Sequence, residues 1–191
     1  MQPEVLNHVI RRRRSIFPPL FSEEPVARDV ILQMLENANW APTHRRTEPW
    51  RFQVFRGEAL HRLARFMTEA YAEQHAGPTF SEAKAAKISK NILRSDTVII
   101  IILQRDREER VPEWEEIAAL SAAVQNLWLT ATAYGLGGYW STPGTLPALT
   151  DWLALPEGQR CMGLFYLGHP QAIEVTSERG PVQEKVVWVE S

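Results

Sequence analysis

Three short runs hold the residues best equipped for chemistry. The first is Arg11-Arg12-Arg13-Arg14-Ser15. Planar, bidentate guanidinium donors beside a hydroxyl suit a phosphate monoester. The same run also suits a helix exit, where cations complement the macrodipole and solvated arginines need no ligand. The second runs from Asn39 to Phe52 and is stiffened by Pro42 and Pro49. There Trp40 and Trp50 offer apolar surface, and Thr43, His44 and Thr47 offer donors and acceptors for the edge of a flat, partly polar ring. The competing reading is a proline-stiffened loop that caps a helix. The third is Gly135-Leu136-Gly137-Gly138-Tyr139-Trp140-Ser141-Thr142-Pro143-Gly144. Its glycines let backbone amides approach a ligand closely, and a helix cap followed by an ordinary turn explains them equally well. It is not a dinucleotide fingerprint, because the glycine spacing is wrong and a helix, not a strand, precedes it.

Hydrophobic periodicity supplies the elements that position these runs. Val5, Leu6, Val9 and Ile10 make one helical face, so a helix over 4–12 delivers the arginines, and Phe17-Pro18-Pro19 stops it. Ile31, Met34, Leu35 and Ala38 predict a second helix that delivers Trp40. Residues 50–55 alternate as a strand buried on at least one face. Helices are predicted over 58–74, ended by Gly77-Pro78, and over 80–91, where the apolar face is thin. Thr97 to Leu103 is β-branched almost throughout and reads as a central strand covered on both faces. Asp96, Arg105 and Asp106 flank it as charged gatekeepers. The most regular pattern, over 113–134, predicts a buried central helix closed by Gly135 in a left-handed cap. A short helix over 146–155, a third strand over 161–168 and a strand-like terminal Val186-Val187-Trp188-Val189 complete the reading. That last segment needs an edge to pair with, in this subunit or in another.

The totals set bounds. With 191 residues, the chain fits one domain, 1–191. A hydrophobic fraction of 45%, a charged fraction of 23% and a net charge of -2 are those of a globular protein without the basic excess of a nucleic-acid binder. Cys161 is the only cysteine, which excludes intrachain disulfides and multi-cysteine zinc sites and favours a reducing compartment. No stretch reads as a signal peptide or a bilayer span, so a cytoplasmic protein with no membrane partner is expected. No metal is assigned. His169 before Pro170 reads as a turn residue, Cys161 as packing, and Glu115 and Glu116 as acids serving a helix dipole.

Taken in order, Arg13-Arg14-Ser15, Ala41-Pro42-Thr43-His44 with Pro49-Trp50-Arg51-Phe52, and Gly135-Leu136-Gly137-Gly138 resemble the FMN-dependent nitroreductase family, in its small single-domain bacterial branch. The resemblance spans about Val5 to His169. It implies an α+β sandwich, a central mixed or antiparallel sheet flanked by helices, in an intertwined homodimer with FMN at the subunit interface. It further implies an NAD(P)H oxidoreductase that passes a hydride through flavin N5 to a nitroaromatic, quinone or similar small acceptor, with no catalytic dyad.

Position by position, Arg13, Arg14 and Ser15 match contacts to the phosphate and ribityl end of FMN, and Trp40 and His44 match loop contacts to the flavin. Trp140, Ser141 and Thr142 match the segment laid against the cofactor. Thr130 to Gly135 lies where some relatives receive the nicotinamide. Arg13 or Arg14 is the first choice for stabilising charge on reduced flavin. Larger members grip the phosphate with a basic C-terminal tail. This tail offers only Arg179 and Lys185, in no evident pattern, which leaves more of the clamp to the N-terminal arginines. The alternatives are a different acceptor on the same flavin, a flavin-storage protein without turnover, and a helical dimer with no cofactor.

Overall fold

The structure is a computed structural model, and it describes residues 3–171 and 178–190. Its described elements are α1 (Pro3–Arg12), α2 (Arg28–Asn39), β1 (Trp50–Arg56), α3 (Glu58–Gln74), α4 (Glu82–Leu93), β2 (Thr97–Gln104), α5 (Glu113–Ala133), β3 (Gly137–Ser141), α6 (Leu146–Trp152) and β4 (Gln159–Gly168), with 3-10 turns between several of them. The expected α+β class holds. The sheet is antiparallel throughout, in the order β1-β2-β4-β3.

β2 occupies the middle because of its composition. Val98 to Leu103 are all buried, and their side chains alternate between two cores. Ile99, Ile101 and Leu103 pack with α2 and α5, while Val98, Ile100 and Ile102 pack with α3, α4 and α6. Helices therefore cover both faces.

α5 is the axis of the first core, and polar bonds lock its start. Glu116 is 1% exposed; its carboxylate accepts from the Arg105 guanidinium and, at 2.9 Å, from the Asp106 backbone N–H. Asp106 in turn accepts from Arg110, which holds its carboxyl at about 2, below the usual range. Asp96 binds Arg56 at 3.1 Å. The charges flanking β2 are thus structural tethers and not only gatekeepers, and Glu116 serves more than a helix dipole. Gly135, at φ 74°, closes the helix as predicted.

Two expectations change. Part of the glycine-rich run is a strand, since β3 pairs residue by residue with β4 from Gly137↔Gly168 to Ser141↔Leu164. Its glycines serve packing: a Cβ on Gly137 would come within 2.8 Å of the Phe21 ring, and one on Gly138 would enter the Phe165 ring. Val186 to Val189 form no strand, and Val187, Trp188 and Val189 are 87%, 82% and 85% exposed. Among the described residues, no sheet edge receives them.

Candidate flavin-binding site

The arginine run does two jobs. Arg14 folds back on α1: its Nη1 donates to the carbonyls of Arg13, at 2.8 Å, and Arg11, which satisfies groups left open at the helix end. Its Nε is buried and has no acceptor. Arg13 turns toward α5, where its guanidinium carbon lies 4.4 Å from the centroid of the Trp128 ring. Partial burial, then the charges of Arg14 and Arg179, pull the Arg13 guanidinium below its ordinary value.

Arg179 is the residue that sequence pattern did not place. It lies in the C-terminal segment, about 165 positions away in sequence, and the fold returns it to within electrostatic reach of Arg13. Ser15 follows in a bridge to Gly138 of β3, with the Ile16 N–H donating to the Gly138 carbonyl at 3.0 Å. Arg13, the neighbouring Arg14 with its buried unpaired Nε–H, and the Ser15 hydroxyl are of the kinds that suit a phosphate monoester, and the charge of Arg179 is felt at Arg13.

The second run is a strained, well-anchored loop. Arg45, Arg46 and Glu48 adopt φ of 52°, 55° and 42°, a region that non-glycine residues enter at a cost of about 1–3 kcal/mol each. Surrounding bonds hold them there: Thr43 and Thr47 hydroxyls meet at 3.2 Å, the Glu48 N–H donates to Thr43 Oγ1 at 3.1 Å, and the Trp50 indole donates to Asn39 at 3.0 Å. Trp50 is buried and belongs to the core. Trp40 is exposed, with its indole N–H donating to Glu36 at 3.0 Å. His44 reaches the start of α5 and meets Glu115 at 2.6 Å.

The third run mixes core and surface. Trp140 lies across β4, its indole N–H donating to the Met162 carbonyl at 3.2 Å. A register shift in β4 exposes that carbonyl, and Gly163, at φ 147°, leaves room for the ring. Ser141 ends β3 half-buried, and Thr142 is exposed just beyond it.

Arg13, Ser15 and the start of β3 are thus brought together within one chain. His44 is not among them. Arg13 sits over Trp128 and His44 against Glu115, thirteen residues apart on one helix, a rise of about 20 Å. No helix among the described residues is long and apolar enough to cross a membrane, and no group of three or more His, Cys, Asp or Glu among them is placed to hold a metal.

Comparison with known proteins gives a consistent result. The profile of the Nitroreductase family matches residues 10–169. "Putative NAD(P)H nitroreductase YfhC" of Bacillus subtilis (strain 168) is 31% identical over 186 residues, 96% of this chain and 94% of that protein. Among solved structures, a nitroreductase-like family protein from Bacillus cereus superposes with a TM-score of 0.82 at 28% identity, covering 97% of this chain and 96% of that one. A "putative nitroreductase in complex with fmn" from Desulfovibrio desulfuricans superposes with a TM-score of 0.70 at 28% identity, over 100% and 99% of the two chains.

Proposed function

Because the chain belongs to the nitroreductase family, matched from residue 10 to 169, we propose that it is an FMN-dependent NAD(P)H oxidoreductase acting on a nitroaromatic, quinone or similar small acceptor. The observation that carries the flavin assignment is Arg13 and Arg14 next to Ser15 at the β3 bridge, with Arg14 Nε buried and lacking an acceptor. FMN, when bound, would supply the hydride-transfer chemistry that links NAD(P)H to the acceptor.

The chain's own residues bind and orient. Arg13 and Arg179 face the phosphate, and Ser15 adds its hydroxyl. Arg14 holds the end of α1 in place and lends its charge. The loop bearing Trp40 and His44 supplies ring surface and a donor for the flavin's polar edge, and Trp140, Ser141 and Thr142 form the wall continuing from β3. The strained backbone from Arg45 to Glu48 fixes that loop before any ligand arrives.

The protein acts as a homodimer in this reading. The separation of about 20 Å along α5 between the arginine cluster and His44 supports a site that draws its phosphate clamp from one copy and its flavin loop from the other. Two exposed apolar surfaces support it too: α1 buries no residue within the chain, and the terminal valines and Trp188 stand free. A single, buried, free thiol at Cys161 supports a reducing, cytoplasmic setting for this activity.

The test is an absorbance spectrum of freshly purified protein, heat release of any flavin, and oxidation of NADH and NADPH with added acceptors. A flavin spectrum with about one FMN per chain and acceptor-dependent turnover is expected, with flavin content falling sharply in Arg13→Ala. A spectrum that stays blank after incubation with FMN overturns the assignment. Bound flavin without turnover makes the protein a flavin carrier.

A further inference from the structure

We infer that Trp128 is the positioning residue for the phosphate clamp: its indole face holds the Arg13 guanidinium in the orientation that separates FMN from dephosphorylated flavin. The inference rests on the flavin reading above, and its observations are independent of the family.

Trp128 projects from α5 into the space between α1 and β3. One face carries the Arg13 guanidinium at 4.4 Å, within the range of a strong cation–π contact. Its edge meets Phe165 at 5.3 Å and 85°, which fixes the ring from the core side. The indole N–H is buried without an acceptor, beside the point where a Cβ on Gly138 would stand at 3.1 Å. Gly138 is also the residue that bridges Ser15.

The unpaired N–H carries the argument. A phenylalanine would fill the same half-buried slot with no stranded donor, so packing by itself disfavours tryptophan here. What tryptophan adds over phenylalanine is the more attractive ring face for a cation. Arg13 needs that attraction, because partial desolvation and the like charges of Arg14 and Arg179 all act to push it back into water. Without the ring, the guanidinium has no partner among the described hydrogen bonds and ion pairs to hold it inward. The ring therefore sets the orientation of the clamp through its face.

The experiment titrates FMN and riboflavin separately into the apoprotein of wild type, Trp128→Phe, Trp128→Leu, Arg13→Ala and the Arg13→Ala/Trp128→Leu double variant, and records thermal melting of each. Trp128→Leu should lose about tenfold in FMN affinity and leave riboflavin affinity unchanged. Trp128→Phe should fall between leucine and wild type for FMN, yet melt at or above the wild-type temperature because it removes a stranded donor. In the Arg13→Ala background, Trp128→Leu should cost no further FMN affinity. Equal loss of FMN and riboflavin, or additive losses in the double variant, overturns the inference while the flavin reading stands. Wild-type protein that binds neither flavin ends both.

Discussion

His44 Nδ1 and Glu115 Oε2 lie 2.6 Å apart, which ties the loop after α2 to the first turn of α5 across 71 positions of sequence. His44 is 57% exposed and Glu115 25%, so their direct contribution to stability is small, under about 1 kcal/mol. Its value lies in fixing the loop. Glu115→Gln should therefore lower FMN affinity severalfold while leaving the melting temperature within about 2 °C of wild type. Flavin titration beside a melting curve checks this, and unchanged affinity would show that the contact organises nothing.

Glu116, one residue on, behaves oppositely. Its buried carboxylate joins the Arg105 guanidinium and the Asp106 N–H, so Glu116→Ala leaves a partly buried cation and a backbone donor without their partner. A loss of about 3 kcal/mol in urea unfolding is expected. Glu116→Gln, which keeps one of the two acceptor oxygens and turns the other into an NH2 donor, should lose less than alanine but more than nothing.

Gly163→Ala combines two penalties. The residue sits at φ 147°, and a Cβ there would lie 2.7 Å from the Ser141 carbonyl and collide with the Trp140 indole. Destabilisation of about 3 kcal/mol is expected, with a change in near-ultraviolet circular dichroism as Trp140 leaves the Met162 carbonyl. A variant as stable as wild type would mean that the crossing of Trp140 over β4 is not needed.

Association should depend on the two apolar surfaces that this chain leaves open. Val5, Leu6 and Ile10 are 55%, 50% and 45% exposed on one side of α1. Leu6→Glu with Ile10→Glu should shift sedimentation toward monomer and release flavin in parallel, since the proposed site draws on a second copy. Removing residues 186–191 should weaken the dimer in the same assay. A monomeric wild type that retains FMN would refute both the dimer and the shared site.

Much of the fold was legible because local physics set it. The spacing of Leu60, Leu63, Ala64, Met67 and Tyr71 predicted a helix over 58–74, which is α3, and the unbroken β-branched run placed β2 between two layers. β3 was not legible. Gly137 and Gly138 have low strand propensity, and only the Phe21 and Phe165 rings packed against them explain why glycine is required. The terminal Val186-Val187-Trp188-Val189 carries strand propensity without a strand, since pairing needs an edge that propensity does not supply.

For the site, residue types in the sequence by themselves determined the family: clustered arginines with a serine, a proline-stiffened aromatic loop and a glycine-rich turn came in an order that matched one. The tertiary structure decided which residues lie together. It gave Arg14 to the end of α1, set Arg13 on Trp128, returned Arg179 from the far end of the chain, and separated His44 from them along α5. Those assignments depend on distances between residues remote in sequence, which helix and strand periodicity does not encode and packing around the sheet does.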